Sequence, residues 1–255
     1  MRPSLSVAVG QPVCLPLDVA RNAVEHARLI RRAGARLVIF PELSLTGYHF
    51  DAAPLPLHDS ALAPIVAACA DADTIALAGA PVRAGDDRYI AMLRIDAAGA
   101  AIVYRKSWLS SEEQTCFTPG GGPTSIDIDG WRVGLGICRD TGVRAHVEGV
   151  AALDIDLYVG SVLHHHHELD EQDARAGRIN RICQASVAVA SFAGSTGEGY
   201  AVTAGNSGIW DAQGQQLARA NDQPGQVVSA SLYRSATPVA PHAPSSCWSI
   251  DSTRR

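Results

Sequence analysis

Short apolar runs alternate along this chain with longer amphipathic stretches. The runs at 5–9, 37–40 and 74–80 are apolar nearly throughout, a pattern typical of buried strands. Between the first two runs, apolar residues recur at helical spacing over 19–33, and Asp18 precedes them as a helix N-cap. Strands that alternate with amphipathic helices predict an α/β domain built in layers around a mixed sheet.

The same alternation continues toward the C-terminus. Further strands are predicted at 89–95, 101–104, 131–137, 155–159, 186–192 and 227–232, further helices from residue 60, at 146–152 and at 169–184, and a hairpin at 207–218. Neither a repeat nor a linker interrupts this pattern, so we expect a single domain over residues 1–255. Its last part, 236–255, contains three prolines and is expected to form an extended arm.

Composition excludes several classes of protein. Of the 255 residues, 47% are hydrophobic and 18% are charged, which suits one large core and is too apolar for a disordered chain. The formal net charge is −5, so the chain lacks the basic surface that nucleic acid binding requires. No apolar run reaches the roughly 18 residues of a membrane-spanning helix, and prolines break the apolar N-terminal stretch. We therefore expect neither nucleic acid nor a membrane as a partner.

The cysteines indicate the compartment. Six are present, at Cys14, Cys69, Cys116, Cys138, Cys183 and Cys247, and none forms a C-x-x-C pair. A domain of this length is stable without disulfides, so we expect a reduced, cytoplasmic setting. Four of them, Cys14, Cys69, Cys116 and Cys183, are expected to be small core residues.

Three chemically capable side chains follow predicted strands. Glu42, Lys106 and Cys138 each stand one or two residues beyond the end of a strand. In open α/β sheets, reactive groups gather beyond the carboxyl ends of the strands. We therefore expect a carboxylate, an amine and a thiol to lie together in one site.

This combination suits nucleophilic catalysis. A cysteine thiol is only a few per cent ionised at neutral pH, so a nucleophilic Cys138 needs a base, and Glu42 can accept its proton. Lys106 can neutralise the oxyanion that forms when the sulfur attacks a carbonyl carbon. The run Gly136–Asp140 resembles a nucleophile elbow, in which a strand enters a tight turn and the next backbone amide faces the oxyanion.

Six sequence segments together resemble the nitrilase superfamily, also called the carbon–nitrogen hydrolases. In chain order they are Phe40–Tyr48, Tyr104–Lys106, Glu113–Gly120, Gly136–Asp140, Ile155–Ser161 and Gly205–Asp211. The resemblance covers nearly the whole chain. It implies a four-layer αββα sandwich with mixed sheets, which in this family usually forms a homodimer or a larger homo-oligomer.

The resemblance also implies a role for each site residue. Glu42 would be the general base, Lys106 the cation that stabilises the oxyanion, and Cys138 the nucleophile. Glu113 would be the second glutamate, which positions Lys106 and the substrate. Its neighbour Glu112 matches less well, because the family's glutamate stands four residues before an aromatic. Neither a cofactor nor a metal is implied.

The residues around the nucleophile favour an amide substrate. Nitrile hydrolysers of the family carry Trp-Glu after the cysteine, and this chain carries Arg139 and Asp140 there. The resemblance thus implies hydrolysis of a small linear amide or carbamoyl compound. Tyr48 is expected to line the substrate pocket, as is Trp108, which replaces a histidine common in the family. Arg139 is expected either to face solvent or pair with an acid of the chain, or to receive a substrate carboxylate.

Several alternatives stay open. An acyl transferase would use the same residues, and a non-catalytic member of the fold would only bind a small molecule. A cysteine–histidine dyad is a further possibility, with the base supplied by His146 or by the run His164–His167. Adjacent histidines point in different directions, so we expect that run to be a polar loop beside the pocket rather than a metal site.

Overall fold

The computed structural model describes residues 4–234, so the predicted arm at 236–255 and Cys247 lie outside the described residues. Within this part there are twelve strands: β1 (Ser4–Gln11), β2 (Leu37–Ile39), β3 (Ile75–Ala84), β4 (Asp87–Asp96), β5 (Gly99–Arg105), β6 (Thr124–Ile128), β7 (Trp131–Ile137), β8 (Leu157–Val162), β9 (Ser186–Ser191), β10 (Gly208–Trp210), β11 (Gln216–Arg219) and β12 (Gln226–Tyr233). The helices are α1 (Val19–Ala33), α2 (Ala63–Ala72), α3 (Arg144–Ala151) and α4 (Leu169–Cys183).

The strands form two six-stranded mixed sheets. The first has the order β12-β1-β2-β3-β4-β5 and the second the order β11-β10-β9-β8-β7-β6. In the first sheet, β1, β2 and β3 run parallel, and β4, β5 and β12 join as antiparallel strands. In the second sheet, β7, β8 and β9 are parallel, and the strands on both sides are antiparallel.

Side-chain alternation explains the layers. In β1, Leu5 and Val7 enter the core between the two sheets, whereas Ala8 faces α1 and α2 on the opposite side. In β8, Val159 enters the same central core, and Tyr158 packs toward α3 and α4. Because each sheet buries both of its faces, the layers follow the order helix, sheet, sheet, helix. The expected αββα sandwich is confirmed.

The predicted elements differ from the structure in a few places. β6 was not among the predicted strands, because its sequence TSIDI is short and half exposed and follows a loop of glycines and prolines. β8 begins at Leu157, two residues later than predicted, because Ile155 packs in the helix-side core before the strand starts. In the described residues, no helix has the length and apolar character needed to cross a bilayer.

The two sheets are joined at the end where β2 and β8 finish. The hydroxyl of Ser161, in β8, donates a hydrogen bond to the carbonyl oxygen of Phe40, directly after β2. Gly79 of β3 leaves room for the turn that follows Phe40, because a β-carbon there would stand 2.8 Å from the carbonyl carbon of Glu42. This end of the sandwich therefore holds the residues after β2 close to both sheets.

Candidate active site

Strand ends from both sheets meet at one cavity. Lys106 directly follows β5 of the first sheet, and Cys138 directly follows β7 of the second. Both line a cavity of about 380 Å³. Glu42, in the turn after β2, is 1% exposed, and its carboxylate is hydrogen-bonded to Lys106 and close enough to Cys138 to affect the pKa of the thiol. The structure thus brings together Glu42, Lys106 and Cys138, the three residues that the sequence places just after strands.

Lys106 lies between two buried carboxylates. Its Nζ atom is 2.7 Å from Oε1 of Glu42 and 2.5 Å from Oε1 of Glu113. The side chains of all three residues are at most 2% exposed. An ammonium group has three donors, so one N–H of Lys106 is not used by these two carboxylates. Because Lys106 lines the cavity, that donor can serve a bound substrate.

Burial raises the pKa of Glu42 to about 7, because desolvation of the carboxylate outweighs its attraction to the Lys106 ammonium. Burial by itself would lower the pKa of Lys106, but Glu42 and the other acidic groups nearby hold that pKa above its usual value. Lys106 therefore stays charged at neutral pH. Oε2 of Glu42 has no hydrogen-bond partner within the described residues, so it is the carboxylate atom available to accept a proton.

The backbone at Cys138 has the geometry of a nucleophile elbow. Its φ angle is +41°, a left-handed conformation that is uncommon outside glycine, and a short 3₁₀ helix, Cys138–Gly142, follows. The Sγ atom donates to the carbonyl oxygen of Leu163 at 3.1 Å. Burial, with a smaller contribution from Glu42, raises the pKa of the thiol to about 12. Cys138 is therefore a neutral thiol that needs a base before it can attack.

Asp140 holds this turn in place through its hydrogen bonds. Its Oδ2 atom accepts the backbone amide of Ile137 at 2.9 Å and the hydroxyl of Tyr104 at 2.8 Å, and its Oδ1 atom accepts the amide of Trp108 at 2.9 Å. Burial raises the pKa of Asp140 above its usual value. One carboxylate thus ties the turn that carries Cys138 to the segment on either side of Lys106.

The two neighbouring glutamates are placed differently. Glu113 is buried, and besides Lys106 it accepts hydrogen bonds from the hydroxyl of Tyr48 at 2.7 Å and from the amide of Ser110 at 2.8 Å. Glu112 is exposed at the cavity rim. Tyr48 lines the cavity, as the sequence predicted. Of the two glutamates, only Glu113 contacts Lys106 in the described structure.

Trp108 requires a correction. Its side chain is 43% exposed and is not among the cavity-lining residues within 4–234, whereas its backbone amide binds Asp140. Arg139 lines the cavity and is exposed. It makes no ion pair with Asp140 or Glu148, because Asp140 binds backbone and tyrosine donors and Glu148 pairs with Arg144.

The histidine run is not a simple polar loop. His164 is buried in the cavity wall, with Nδ1 3.2 Å from Oε1 of Gln172 and Nε2 3.3 Å from Nη1 of Arg175. Burial, together with the nearby Arg175 charge, lowers the pKa of His164 to about 4. His165 stacks on Tyr200 at 4.1 Å between ring centroids. The last two histidines of the run are exposed.

Neither His146 nor His164 is placed to form a cysteine–histidine dyad. His146 is buried against the carbonyl oxygen of Leu135, 3.2 Å away, and does not line the cavity. Both ring nitrogens of His164 contact Gln172 or Arg175, so neither faces the thiol as a free base. In the part of the chain described, no group of three or more His, Cys, Asp or Glu residues is placed to hold a metal ion.

The other cysteines are less uniform than expected. Cys69 is buried, but Cys14, Cys116 and Cys183 are half-buried at the edges of the hydrophobic clusters. None of these four lines the cavity around Cys138.

Some residues of the site were not singled out from the sequence. The cavity is also lined by Phe50, Ser110, Leu163, Glu168, Arg175, Glu198 and Tyr200. Arg175 lies in α4, and Glu198 and Tyr200 lie in a loop that reaches the cavity from the far end of the chain. No local pattern marks these residues, because only the packing of the two sheets brings their segments together. Asp140 did carry a signal, since it ends the run Gly136–Asp140 that the sequence singled out.

Comparison with known proteins agrees with the resemblance found in the sequence. The family model for carbon–nitrogen hydrolases matches residues 6–239. A protein described as a hydrolase in the pqqF 5′ region, from Pseudomonas protegens, is 33% identical over 147 residues, which are 54% of this chain. The chain spans about half the length, 52%, of that curated relative.

Solved structures share the fold. The Nit3 protein of Saccharomyces cerevisiae, from branch 10 of the nitrilase superfamily, has a TM-score of 0.79 at 21% identity, over 90% of each chain. A CN-hydrolase superfamily protein from Xanthomonas campestris has a TM-score of 0.81 at 19% identity, over 92% of this chain and 91% of that one. An amidase from Nesterenkonia sp. AN1 has a TM-score of 0.75 at 24% identity, over 88% and 91%. At these identities the likeness establishes the fold.

Proposed function

Since the chain belongs to the carbon–nitrogen hydrolase family, we propose that it hydrolyses the C–N bond of a small linear amide through a thioester on Cys138. One observation carries the proposal. A single buried ammonium, Lys106, is bonded to two buried carboxylates beside a thiol held in a strained turn. Burying this set is costly in free energy, and a structural role would be served as well by apolar residues.

The first step is attack by the thiol. Oε2 of Glu42 accepts the Cys138 proton as the Sγ–C bond forms, because the high thiol pKa keeps free thiolate scarce. The raised pKa of Glu42 suits this task, since a base with a pKa near the working pH combines availability with basicity. The electron pair of the C=O bond moves onto the oxygen.

The resulting oxyanion needs donors fixed in advance. The remaining N–H of Lys106 and the backbone amide of Arg139, directly after the nucleophile, are the groups proposed to bind it. Glu42 then returns its proton to the leaving nitrogen, the C–N bond breaks, and ammonia or an amine departs. An acyl group remains on Cys138 as a thioester.

Water completes the cycle. Glu42 accepts a proton from water as the water oxygen attacks the thioester carbon, and the C–S bond breaks. The same proton then returns to the sulfur, so enzyme and thiol are regenerated with release of the acid. Lys106 keeps its charge through both halves, because its raised pKa prevents it from acting as an acid near neutral pH.

The choice of amide over nitrile rests on the residues after the nucleophile. Arg139 and Asp140 stand where nitrile hydrolysers of the family carry Trp-Glu. The Nesterenkonia relative, at 24% identity, is an amidase. These two points together favour an amide.

Ammonia release tests the proposal. Purified protein is assayed with primary amides, carbamoyl amino acids and nitriles, alongside C138A, E42Q and K106M. We expect amide hydrolysis that C138A abolishes and that E42Q and K106M each lower by at least about a hundredfold in kcat. C183A is the matched control, because Cys183 is half-buried and lies away from the cavity.

Three results would contradict it. Activity of C138A within tenfold of the parent would exclude Cys138 as the nucleophile. Ammonia release that depends on an added amine, with the N-substituted amide as the product and little acid formed, would identify an acyl transferase. Alkylation by iodoacetamide that is no faster at Cys138 than at Cys183, without turnover of any substrate, would identify a binding protein.

A further inference from the structure

A cation with no hydrogen-bond or ion-pair partner among residues 4–234 lines the cavity. Arg139 directly follows the nucleophile and is exposed on the cavity wall. Within residues 4–234, its guanidinium makes neither a hydrogen bond nor an ion pair. Its charge reaches Glu112, whose lowered pKa is due mainly to hydrogen bonds from its own amide and from neighbouring serines. An arginine placed beside a reacting group and left unpaired has its planar set of donors available for a ligand.

A second arginine lines the same cavity. Arg175 of α4 packs against Gly142, at the end of the 3₁₀ helix that contains Arg139, with its Cζ atom 2.8 Å from where a Gly142 β-carbon would lie. Its Nε atom is 2.8 Å from Glu171 and its Nη1 atom 3.3 Å from His164, and neither contact uses Nη2. Glu171 does not line the cavity. Arg139, near the start of the turn after Cys138, and Arg175, packed against its end, thus both line the cavity.

The carboxylates at the rim are already engaged by the protein. Glu168 accepts the amide of His165 at 2.8 Å, Glu198 accepts the amide of Phe50 at 3.1 Å, and Glu112 accepts the hydroxyl of Ser111 at 3.0 Å. Each acid therefore has at least one donor within the protein, whereas Arg139 has no hydrogen-bond acceptor among residues 4–234. The guanidinium donors of Arg139 are therefore available to a ligand, and a carboxylate is the acceptor that satisfies them best.

We propose that the amide substrate carries a carboxylate at its far end, and that Arg139, with Arg175 beside the same turn, binds this carboxylate. The inference rests on the proposed function, since it names the substrate class of that same site. Arg139 thereby determines specificity without taking part in bond breaking. A hydrogen bond to a charged group accounts for a preference of about ten- to a hundredfold.

Three amides of equal length test the charge preference. Glutaric acid monoamide carries the distal carboxylate, 5-methylhexanamide replaces it by a neutral isopropyl group, and 5-aminopentanamide replaces it by an ammonium. We expect kcat/KM for the first to exceed that for the second by about ten- to a hundredfold, and to exceed the third by more. Equal values for the first two, or a preference for the ammonium, would overturn the inference and leave amide hydrolysis intact.

Substitutions locate the preference. R139L should reduce the ratio of acidic to neutral amide to near one, and R175M should reduce it by a smaller factor. R144L is the matched control, because Arg144 is an exposed arginine of the next helix that pairs with Glu148 and does not line the cavity. R144L should keep the parent ratio. An R139L variant with the parent ratio would exclude Arg139 as the carboxylate site.

A second measurement does not depend on turnover. Glutarate should protect Cys138 from iodoacetamide in the parent, and at least tenfold more glutarate should be needed in R139L. The neutral diamide glutaramide should protect no better in the parent than in R139L. Protection by glutarate without hydrolysis of any amide would support the carboxylate site and reject the proposed function. Equal protection in parent and R139L would reject the site whatever the activity.

Discussion

The carboxylate of Asp140 accepts the backbone amide of Trp108 at 2.9 Å, across the boundary between the two sheets. Trp108 stands two residues after Lys106, and Asp140 two residues after Cys138. This hydrogen bond therefore sets the spacing between the segment that carries the cation and the turn that carries the thiol. It also explains why the backbone of Trp108 matters to the site while its indole faces solvent.

Replacing Asp140 by asparagine should disturb both segments. The amide keeps one acceptor oxygen and turns an NH₂ group toward a backbone N–H or the Tyr104 hydroxyl, so buried donors lose their partner. We expect D140N to lose about 1–3 kcal/mol of stability and at least tenfold in kcat, with little change in KM. Urea unfolding, kinetics and the alkylation rate of Cys138 measure these effects.

The control for that variant is D154N, because the Asp154 side chain is fully exposed. Y104F removes only one of the bonds to Asp140 and should cause a smaller loss than D140N. A D140N protein with the parent's kcat and the parent's alkylation rate at Cys138 would show that the turn does not depend on this carboxylate.

Lys106 is the only lysine in the 255-residue sequence, which makes its charge directly measurable. Protein labelled with ¹³C and ¹⁵N in lysine should give a single side-chain signal. Because Glu42 and neighbouring acids hold its pKa above the usual value, this signal should not titrate between pH 6 and pH 10. K106M supplies the assignment by removing the signal. A titration midpoint below pH 10 would contradict the expected ammonium.

Activity should depend on pH through Glu42. The carboxylate accepts the thiol proton only when ionised, and burial raises its pKa to about 7. Therefore kcat/KM for propionamide, which has no titrating group in this range, should fall about tenfold per pH unit below 7 and level off above it. The thiol of Cys138 does not contribute to this fall in activity below pH 7, since its pKa is about 12.

The variant E42Q tests whether Glu42 causes the fall in activity below pH 7. Its residual activity should be low and should not follow the parent's rise between pH 5 and pH 7. An unchanged midpoint in E42Q would assign the titration to another group. A parent profile that is flat over this range would contradict the raised pKa.

Glu113 and Glu112 form a matched pair of neighbouring glutamates. Glu113 bonds Lys106 and Tyr48 in the buried site, whereas Glu112 is exposed. We expect E113Q to lower kcat for a neutral amide by about ten- to a hundredfold. This loss is smaller than for E42Q, because Glu113 orients Lys106 without transferring a proton. E112Q should stay within about threefold of the parent. A severe E112Q and a silent E113Q would reverse the assignment.

The sequence alone determined where the reactive groups stand along the chain. Strand ends are marked by local patterns of apolar runs and turns, and these placed Glu42, Lys106 and Cys138 just beyond three strands. Resemblance to the family added the αββα sandwich and singled out Glu113 over Glu112. These conclusions needed only local patterns and motifs, because each residue lies at a fixed offset from a predicted strand or within a recognisable motif.

Only the tertiary structure decided which side chains meet there. The packing of the two sheets determines which groups bind Asp140 and why His164 is buried. It also determines why Trp108 is exposed and why Arg175 lines the cavity. Packing brings together segments that are far apart in sequence, so the hydrophobic periodicity of any one segment does not reveal these contacts. The same holds for charge states, since the raised pKa of Glu42 arises from burial between the sheets, and the sequence specifies that burial only through the completed fold.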